Sequence, residues 1–371
     1  MLKKIQVLSL LTAALMAASM SAQAKVIEFT DLAERKVSVD VPVKRAVVAF
    51  YYQDYLAIAG KDVLDNVVGF SKAVWTDWAP PSWAAFSKAL PKLKELADVG
   101  EVVVGTFSVE KVLSLRPDVL VLAKWQYDAL GSDLEPLEEA KIPIVVLDYN
   151  AQTVAAHVKS TEIIGQLTGQ ESRAKELADH YAQVAKDIQE RVAKANLPKP
   201  KVYVEFGNKG PAEYSFTFGK NMWGAMIDLV GGDNIAKNAV EYYGPVNPEL
   251  ILAAKPDVIV MTGRETELKK NPEALVMGFG IDKEDAKQRL AGFAKRPGWD
   301  KLPALQNKRL YAAYHANSRT LSDSASIQFM AKAIYPELFK DIDPTKNYLE
   351  FYKKYLPVVP EGTFYLMPED K

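Results

Sequence analysis

The chain has 371 residues, 49% of them hydrophobic and 25% charged, with a formal net charge of −1 and no cysteine. That length exceeds what one hydrophobic core usually serves, so two domains are expected, and the lack of cysteine excludes disulfides, thiolate metal sites and a lipid-bearing cysteine. Residues 1–24 hold two lysines and no acid, so the remainder carries 44 basic and 47 acidic groups, a net −3, and that balance argues against a nucleic-acid partner.

In chain order the first predicted element is a leader. Lys3 and Lys4 precede an apolar run from Ile5 to about Met20, and Ala22-Gln23-Ala24 has the small-x-small pattern of a cleavage site. Export to a periplasm through a signal peptide spanning 1–24 is therefore expected, and no later segment supplies the roughly 18 uncharged apolar residues of a membrane span.

Residues 25–150 read as an N-terminal α/β lobe, with strands predicted at 45–50 (RAVVAF), 66–70 (NVVGF), 119–123 (VLVLA) and 142–148 (IPIVVLD). Residues 151–198 read as connecting helices, rich in strong helix formers and divided by Gly169, a suitable C-cap. Residues 199–371 read as a C-terminal α/β lobe with a C-terminal extension, its strands predicted at 201–206 (KVYVEF), 257–263 (DVIVMTG) and 309–314 (RLYAAY). The fold class expected is α/β: two lobes with central, mainly parallel sheets, joined by a long rigid helix, with a ligand cleft between them.

Two stretches are built alike. VEKVLSLRPDVLVL at 109–122 and PELILAAKPDVIVM at 248–261 align without gaps at an offset of 139 residues and share Glu110/Glu249, Leu113/Leu252, Pro117/Pro256, Asp118/Asp257, Val119/Val258 and Val121/Val260. Each reads as a short helix capped by Ser108 or Asn247, a stop enforced by the proline, and a strand apolar enough to be buried on both faces. One α/β unit written twice implies two lobes of similar build.

Ligands of open α/β sheets bind beyond the carboxyl ends of the strands. In the first lobe those positions are Tyr51 and Tyr52, Trp125 and Tyr127, and Tyr149; in the second they are Tyr214 and Phe216, Arg264, and His315 and Arg319. Aromatic rings with polar handles and two arginines suit a large, flat ligand carrying negative charge. The loop holding Trp75, Trp78 and Trp83 either overhangs this cleft or covers the side of the first lobe. No HExxH, phosphate-cradling GxxxxGK[ST] or GxSxG motif is present, so no catalytic residue and no protein-held metal is assigned. A periplasmic enzyme on the same fold stays open as a distant alternative.

The KRAVVAF opening, the paired Pro-Asp units, the long connecting helix and MWGAMIDLVGGDNIA at 222–236 together resemble the class III periplasmic substrate-binding proteins of ABC importers, which carry ferric siderophores, haem and cobalamin. The resemblance implies a binding protein without cofactor, free in the periplasm and monomeric, that captures an Fe(III)-siderophore complex. It further implies delivery of that complex to an inner-membrane permease dimer with its cytoplasmic ATPase. It also implies that Glu110 and Glu249 dock on the permease, one per permease subunit, although a first-turn carboxylate is favoured by the helix dipole whatever its function. The long tail resembles a longer subgroup that includes carriers of other metal complexes and at least one oxyanion carrier. Haem, with Tyr51 or Tyr52 as axial ligand, cobalamin, and molybdate or another metal oxyanion therefore stand as alternative cargoes.

Overall fold

A computed structural model of the chain describes residues 25–367; the expected leader lies outside them. The described chain opens with an antiparallel hairpin, β1 (Lys25–Thr30) and β2 (Lys36–Val41), which the sequence reading did not separate from the first lobe. Val37 and Val39 of β2 point inward and their neighbours outward, the alternation of a strand with one solvated face.

The first lobe is built on five strands: β3 (Ala46–Val48), β4 (Val67–Phe70), β5 (Ala97–Asp98), β6 (Val119–Ala123) and β7 (Ile144–Leu147). They form an all-parallel sheet in the order β5-β4-β3-β6-β7. Helices cover both faces, which is why β6 and β7 are buried at every position. Alternate residues serve different cores: Val119, Val121, Val145 and Leu147 join the large cluster, whereas Leu120, Leu122, Ile144 and Val146 join a separate one on the other face. The chain reverses its direction of sheet growth between β3 and β6, so the crevice at their carboxyl ends is the switch point where a ligand is expected.

The second lobe has a parallel centre of β8 (Lys201–Phe206), β12 (Val258–Gly263) and β14 (Leu310–Tyr314). β9 (Phe216–Phe218) and β11 (Tyr243–Pro245) extend one edge antiparallel, while the short β10 (Asp233–Asn234) runs parallel to the start of β8. On the other edge β16 (Tyr365–Leu366), from the C-terminal extension, pairs antiparallel with β14, and β13 (Gly278–Phe279) pairs with β15 (Gly362–Thr363).

The repeated unit has the same structure in both lobes. α1 (Val109–Leu115) and α2 (Pro248–Ala254) start on Ser108 and Asn247, whose side chains accept from Lys111 N and Glu249 N, and stop at Arg116 and Lys255 in the left-handed region. Asp118 Oδ2 then accepts the Arg45 N–H at 3.0 Å, and Asp257 Oδ2 accepts the Lys201 N–H at 2.8 Å. Arg45 donates to the Leu115 carbonyl at 2.6 Å and Lys201 to the Ala254 carbonyl at 3.1 Å. In each lobe, then, a cation at the start of one strand satisfies the carbonyl end of the helix, and the aspartate satisfies the start of that strand.

Between the lobes run α3 (Val154–Thr168) and α4 (Glu171–Ala195), divided at Gly169 with φ 68°. α4 buries Ala174, Leu177, Ala178, Tyr181, Ala185 and Ile188 along one stripe. A Cβ at Gly165 would lie 2.4 Å from Ala174 Cβ, so the two helices cross closer than any larger residue allows. α5 (Pro344–Tyr355), in the C-terminal extension, reaches back across the lobes: Tyr352 Oη donates to Gln53 Oε1 at 3.0 Å, and Arg173 of α4 donates to the Tyr355 carbonyl at 3.1 Å.

Candidate functional site

A cleft of about 710 Å³, part of it open to solvent, lies at the carboxyl ends of β3, β4, β12 and β14. From the first lobe it takes Phe50, Tyr51, Tyr52 and Asp54 beyond β3, and Trp78 beyond β4. From the second it takes Arg264 beyond β12 and His315, Asn317 and Arg319 beyond β14, with Phe279, Tyr314 and Tyr352 completing the wall. The strand-end rule thus brings together Tyr51, Tyr52, Arg264, His315 and Arg319 from the ten positions read in the sequence.

Tyr51 is held in an uncommon conformation. Its φ of 55° is left-handed, at a cost of order 1–2 kcal/mol for a residue with a Cβ, and its hydroxyl donates to Asn150 Oδ1 at 2.6 Å. Tyr52 stacks on Trp75 with centroids 4.1 Å apart. Burial raises both phenols well above their ordinary value, so neither is poised to become a phenolate.

The two arginines differ. The Arg264 guanidinium pairs with the buried Glu267 carboxylate and lies over the Phe206 and Trp78 rings. Arg319 has no carboxylate partner among the described residues; its neighbours are Met222 Sδ at 3.9 Å and the Phe50 ring at 5.8 Å. Burial lowers its pKa, and Arg264 lowers it further. His315, 8% exposed, is stacked on Phe206 and shares a hydrogen bond between Nδ1 and Thr262 Oγ1 at 3.1 Å. Burial first, then Arg319 and Arg264, hold its pKa well below the ordinary range, so the imidazole is neutral. Asp54, 3% exposed, accepts from Thr320 Oγ1 and Leu321 N across the lobe boundary, both at 2.7 Å. Desolvation raises its pKa to about 7 despite those two donors. At neutral pH the cleft is therefore cationic and aromatic, with one guanidinium free for an anion. No group of three or more His, Cys, Asp or Glu side chains able to hold a metal occurs among the described residues.

The other five strand-end residues lie elsewhere, which corrects their reading as cleft-lining. Trp125, partly exposed, packs its edge on Phe50, 5.3 Å between centroids, and does not line the cleft. Tyr149 is fully buried behind Tyr51, with its hydroxyl on Thr161. Tyr127 joins the outer core under the Arg35 guanidinium, because a residue four beyond the strand is already on the next helix, Lys124–Leu130. Tyr214 accepts from Trp299 Nε1 at 2.9 Å and stacks under Arg296. Phe216 is 39% exposed on β9, against Tyr243. Two alternatives for the tryptophan loop divide: Trp78 lines the cleft, whereas Trp75 is buried behind Tyr52 and Trp83 packs on the core. Sequence reasoning missed Asp54, Phe279 and Tyr352. The first sits inside a helix; the others come from segments whose placement no local pattern announces.

Glu110 and Glu249 are both exposed in the first turns of α1 and α2, outside the cleft.

The family model for periplasmic binding proteins matches residues 47–315. Among solved structures the TroA-like periplasmic binding protein FepB of Veillonella parvula superposes with a TM-score of 0.84 at 34% identity, covering 92% of this chain and 99% of its own. The molybdate-binding protein MolA of Haemophilus influenzae is 22% identical over 360 residues, 88% of this chain and 90% of its own. An uncharacterized ABC transporter substrate-binding lipoprotein of Bacillus subtilis, YvrC, is 25% identical over 257 residues, 67% of this chain and 71% of its own.

Proposed function

From the premise that the chain belongs to the periplasmic binding protein family, we propose that it captures an anionic metal complex, a ferric siderophore in the first place, and delivers it to the permease of an ABC importer. The observation that carries the choice of ligand is Arg319: a largely buried guanidinium without a carboxylate, set among Phe50, Tyr51, Tyr52 and Tyr314 at the meeting of the lobes. Such a cation is unfavourable in the empty protein and is relieved by an anion. The surrounding rings offer π-faces to a flat chelate, and the polar tips of Tyr52 and Asn317 offer hydrogen bonds to its periphery. Among the described residues no cluster is suited to hold a bare cation, which favours a metal that arrives already chelated.

A second reading, molybdate or a similar oxyanion, is supported by the likeness to the molybdate-binding protein over most of both chains. There Arg319 and backbone N–H groups would hold a tetrahedral anion and the rings would merely exclude water. Haem ligation by Tyr51 or Tyr52 is less well supported, because burial keeps the proton on both phenols.

Trp78 lines the cleft and Trp75 stacks behind Tyr52, so tryptophan fluorescence reports on occupancy. Titration with ferric catecholate, hydroxamate and citrate complexes, haemin, cobalamin and molybdate is expected to give saturable quenching with one ferric complex at micromolar concentration or below. A response to molybdate alone selects the second reading, and silence across the panel removes both.

A further inference from the structure

The internal repeat reaches further upstream than the Pro-Asp units. At the same offset of 139 residues, Val103, Val104 and Gly105 align with Tyr242, Tyr243 and Gly244, so each lobe places an apolar pair seven and six residues before its first-turn glutamate. These pairs are on the surface: Val103 is 64% exposed, Val104 59%, Tyr242 59% and Tyr243 63%. Ten large apolar or aromatic side chains are exposed among the described residues, and four of them fall at these two equivalent places.

Both pairs are presented by held backbone. In the first lobe Thr106 N donates to the Glu101 carbonyl at 2.9 Å, Ser108 N to the Val99 carbonyl at 2.9 Å, and Val103 N to Glu101 Oε1 at 3.2 Å. A Cβ at Gly100, whose φ is 79°, would sit 1.9 Å from the Thr106 carbonyl oxygen, so the turn closes only with glycine there. In the second lobe β11 pairs with β9, Gly219 N donates to the Tyr242 carbonyl at 2.7 Å, and the Tyr243 ring meets Phe216 at 5.8 Å. Fixing an apolar side chain in water brings no gain to the folded chain alone, whereas a preformed apolar contact reduces the entropy lost on association. Beside Glu110 a surface groove is lined by Asp133, Glu135 and Glu139, which calls for a cationic partner.

We propose that each lobe carries a composite docking face, in which the exposed pair Val103–Val104 or Tyr242–Tyr243 seats in an apolar recess beside the cation that pairs with Glu110 or Glu249, one face on each subunit of a two-fold symmetric permease. This rests on the importer reading. Repetition of the whole arrangement in one chain matches a partner with two equivalent subunits, and the side-chain types divide the work: the glutamates steer and orient, while the buried apolar pairs slow dissociation. Tyr242 and Tyr243 bring more apolar area and a hydroxyl each, so the second lobe holds more tightly than the first.

The test measures binding of ligand-free protein to its permease–ATPase complex in nanodiscs. V103S/V104S and Y242S/Y243S are compared with the combined four-site variant and with E110A/E249A, each checked by thermal melting. Each double variant is expected to bind at least ten-fold more weakly through faster dissociation, with the larger loss at the tyrosines, and the four-site variant at least a hundred-fold. Wild-type binding by the four-site variant, while E110A/E249A fails, overturns the composite face and leaves the importer reading standing. Failure of the unaltered protein to bind overturns both. Concentration-dependent dimers of the unaltered chain that Y242S/Y243S abolishes, with permease binding intact, assign the aromatic pair to self-association instead. If the four-site variant melts early, V104K and Y243K singly carry the same comparison.

Discussion

Arg319 and Asp54 lie in one cleft, and burial disfavours the charged form of each. For Arg319 the expected result of R319M is loss of ligand by at least a hundred-fold in the fluorescence titration, together with a gain of about 1 kcal/mol in unfolding free energy measured in urea, because an unpaired cation leaves the interior. A merely structural arginine would give the opposite sign in stability. For Asp54 the folded-state pKa of about 7 lies above the ordinary value of 3.8. Between those values the folded protein holds a proton that the unfolded chain has lost, so this group's contribution to stability is largest below 3.8. It falls as pH rises through the window and is level above 7. Asp54→Asn keeps an oxygen to accept from Thr320 and Leu321, so the variant is expected to gain on the wild type by up to about 1.4 kcal/mol per pH unit across that window. Unfolding curves from pH 4.5 to 7.5 check this. Glu265, also raised to about 7 by burial, contributes the same sign in both proteins, so only the difference between them isolates Asp54.

The β8–β9 connection explains why two strand-end aromatics are absent from the cleft. Arg296 forms a fork on Glu205 at 2.7 and 2.9 Å, donates to the carbonyls of Gly210, Pro211 and Glu213, and is stacked by Tyr214, Phe293 and Trp299. Both charges are almost fully buried, 1% and 0% exposed. Tyr214 thus belongs to a structural cation site, and Phe216, the next but one residue, is turned onto the outer edge. Arg296→Met leaves Glu205 uncompensated and is expected to lower stability by about 3–5 kcal/mol, while ligand affinity in material that still folds changes less than two-fold. A large affinity loss at full stability would instead move this cluster into the binding site. α5 makes the opposite point: its amphipathic pattern declares a helix at Pro344–Tyr355, yet only its return across the lobes brings Tyr352 to Gln53 and the cleft.

Across the whole molecule, the lobes are tied at several points. Asn150 accepts from Met222 N, Gln152 donates to Asp323 at 2.5 Å, Thr320 and Leu321 donate to Asp54, and Tyr352 bonds Gln53. Behind these contacts His157 meets Asp323 at 3.3 Å with both side chains fully buried, and α3 and α4 brace the junction. A closure of many ångströms would break buried hydrogen bonds, each at about 1–3 kcal/mol. Ligand binding is therefore expected to change the distance between spin labels at Lys61→Cys and Lys269→Cys, exposed sites on the two lobes, by less than about 2 Å in pulsed electron resonance. A larger shift would place a hinge at the junction that α3 and α4 brace. The absence of native cysteine makes that labelling specific.

The sequence by itself determined the secondary elements that rest on local chemistry. The buried strands are apolar at each step over 119–123 and 258–261, the Pro-Asp stops end two short helices, and Gly169 divides the connecting pair, all because propensity, capping and periodicity act over a few residues. The duplicated unit was likewise legible, and with it the two lobes. The composition of the cleft was legible only in part, because the rule of strand ends locates a loop but not the direction of each side chain. Tyr51 faces the cleft while Tyr149, equally a strand-end tyrosine, is buried behind it. Tertiary structure alone decided that Arg319 would meet no carboxylate among the described residues, and that Asp54 and Tyr352, 298 positions apart in the chain, would share a wall. Those outcomes depend on contacts between distant segments, whose pairing is set by how the lobes pack and not by any pattern along the chain.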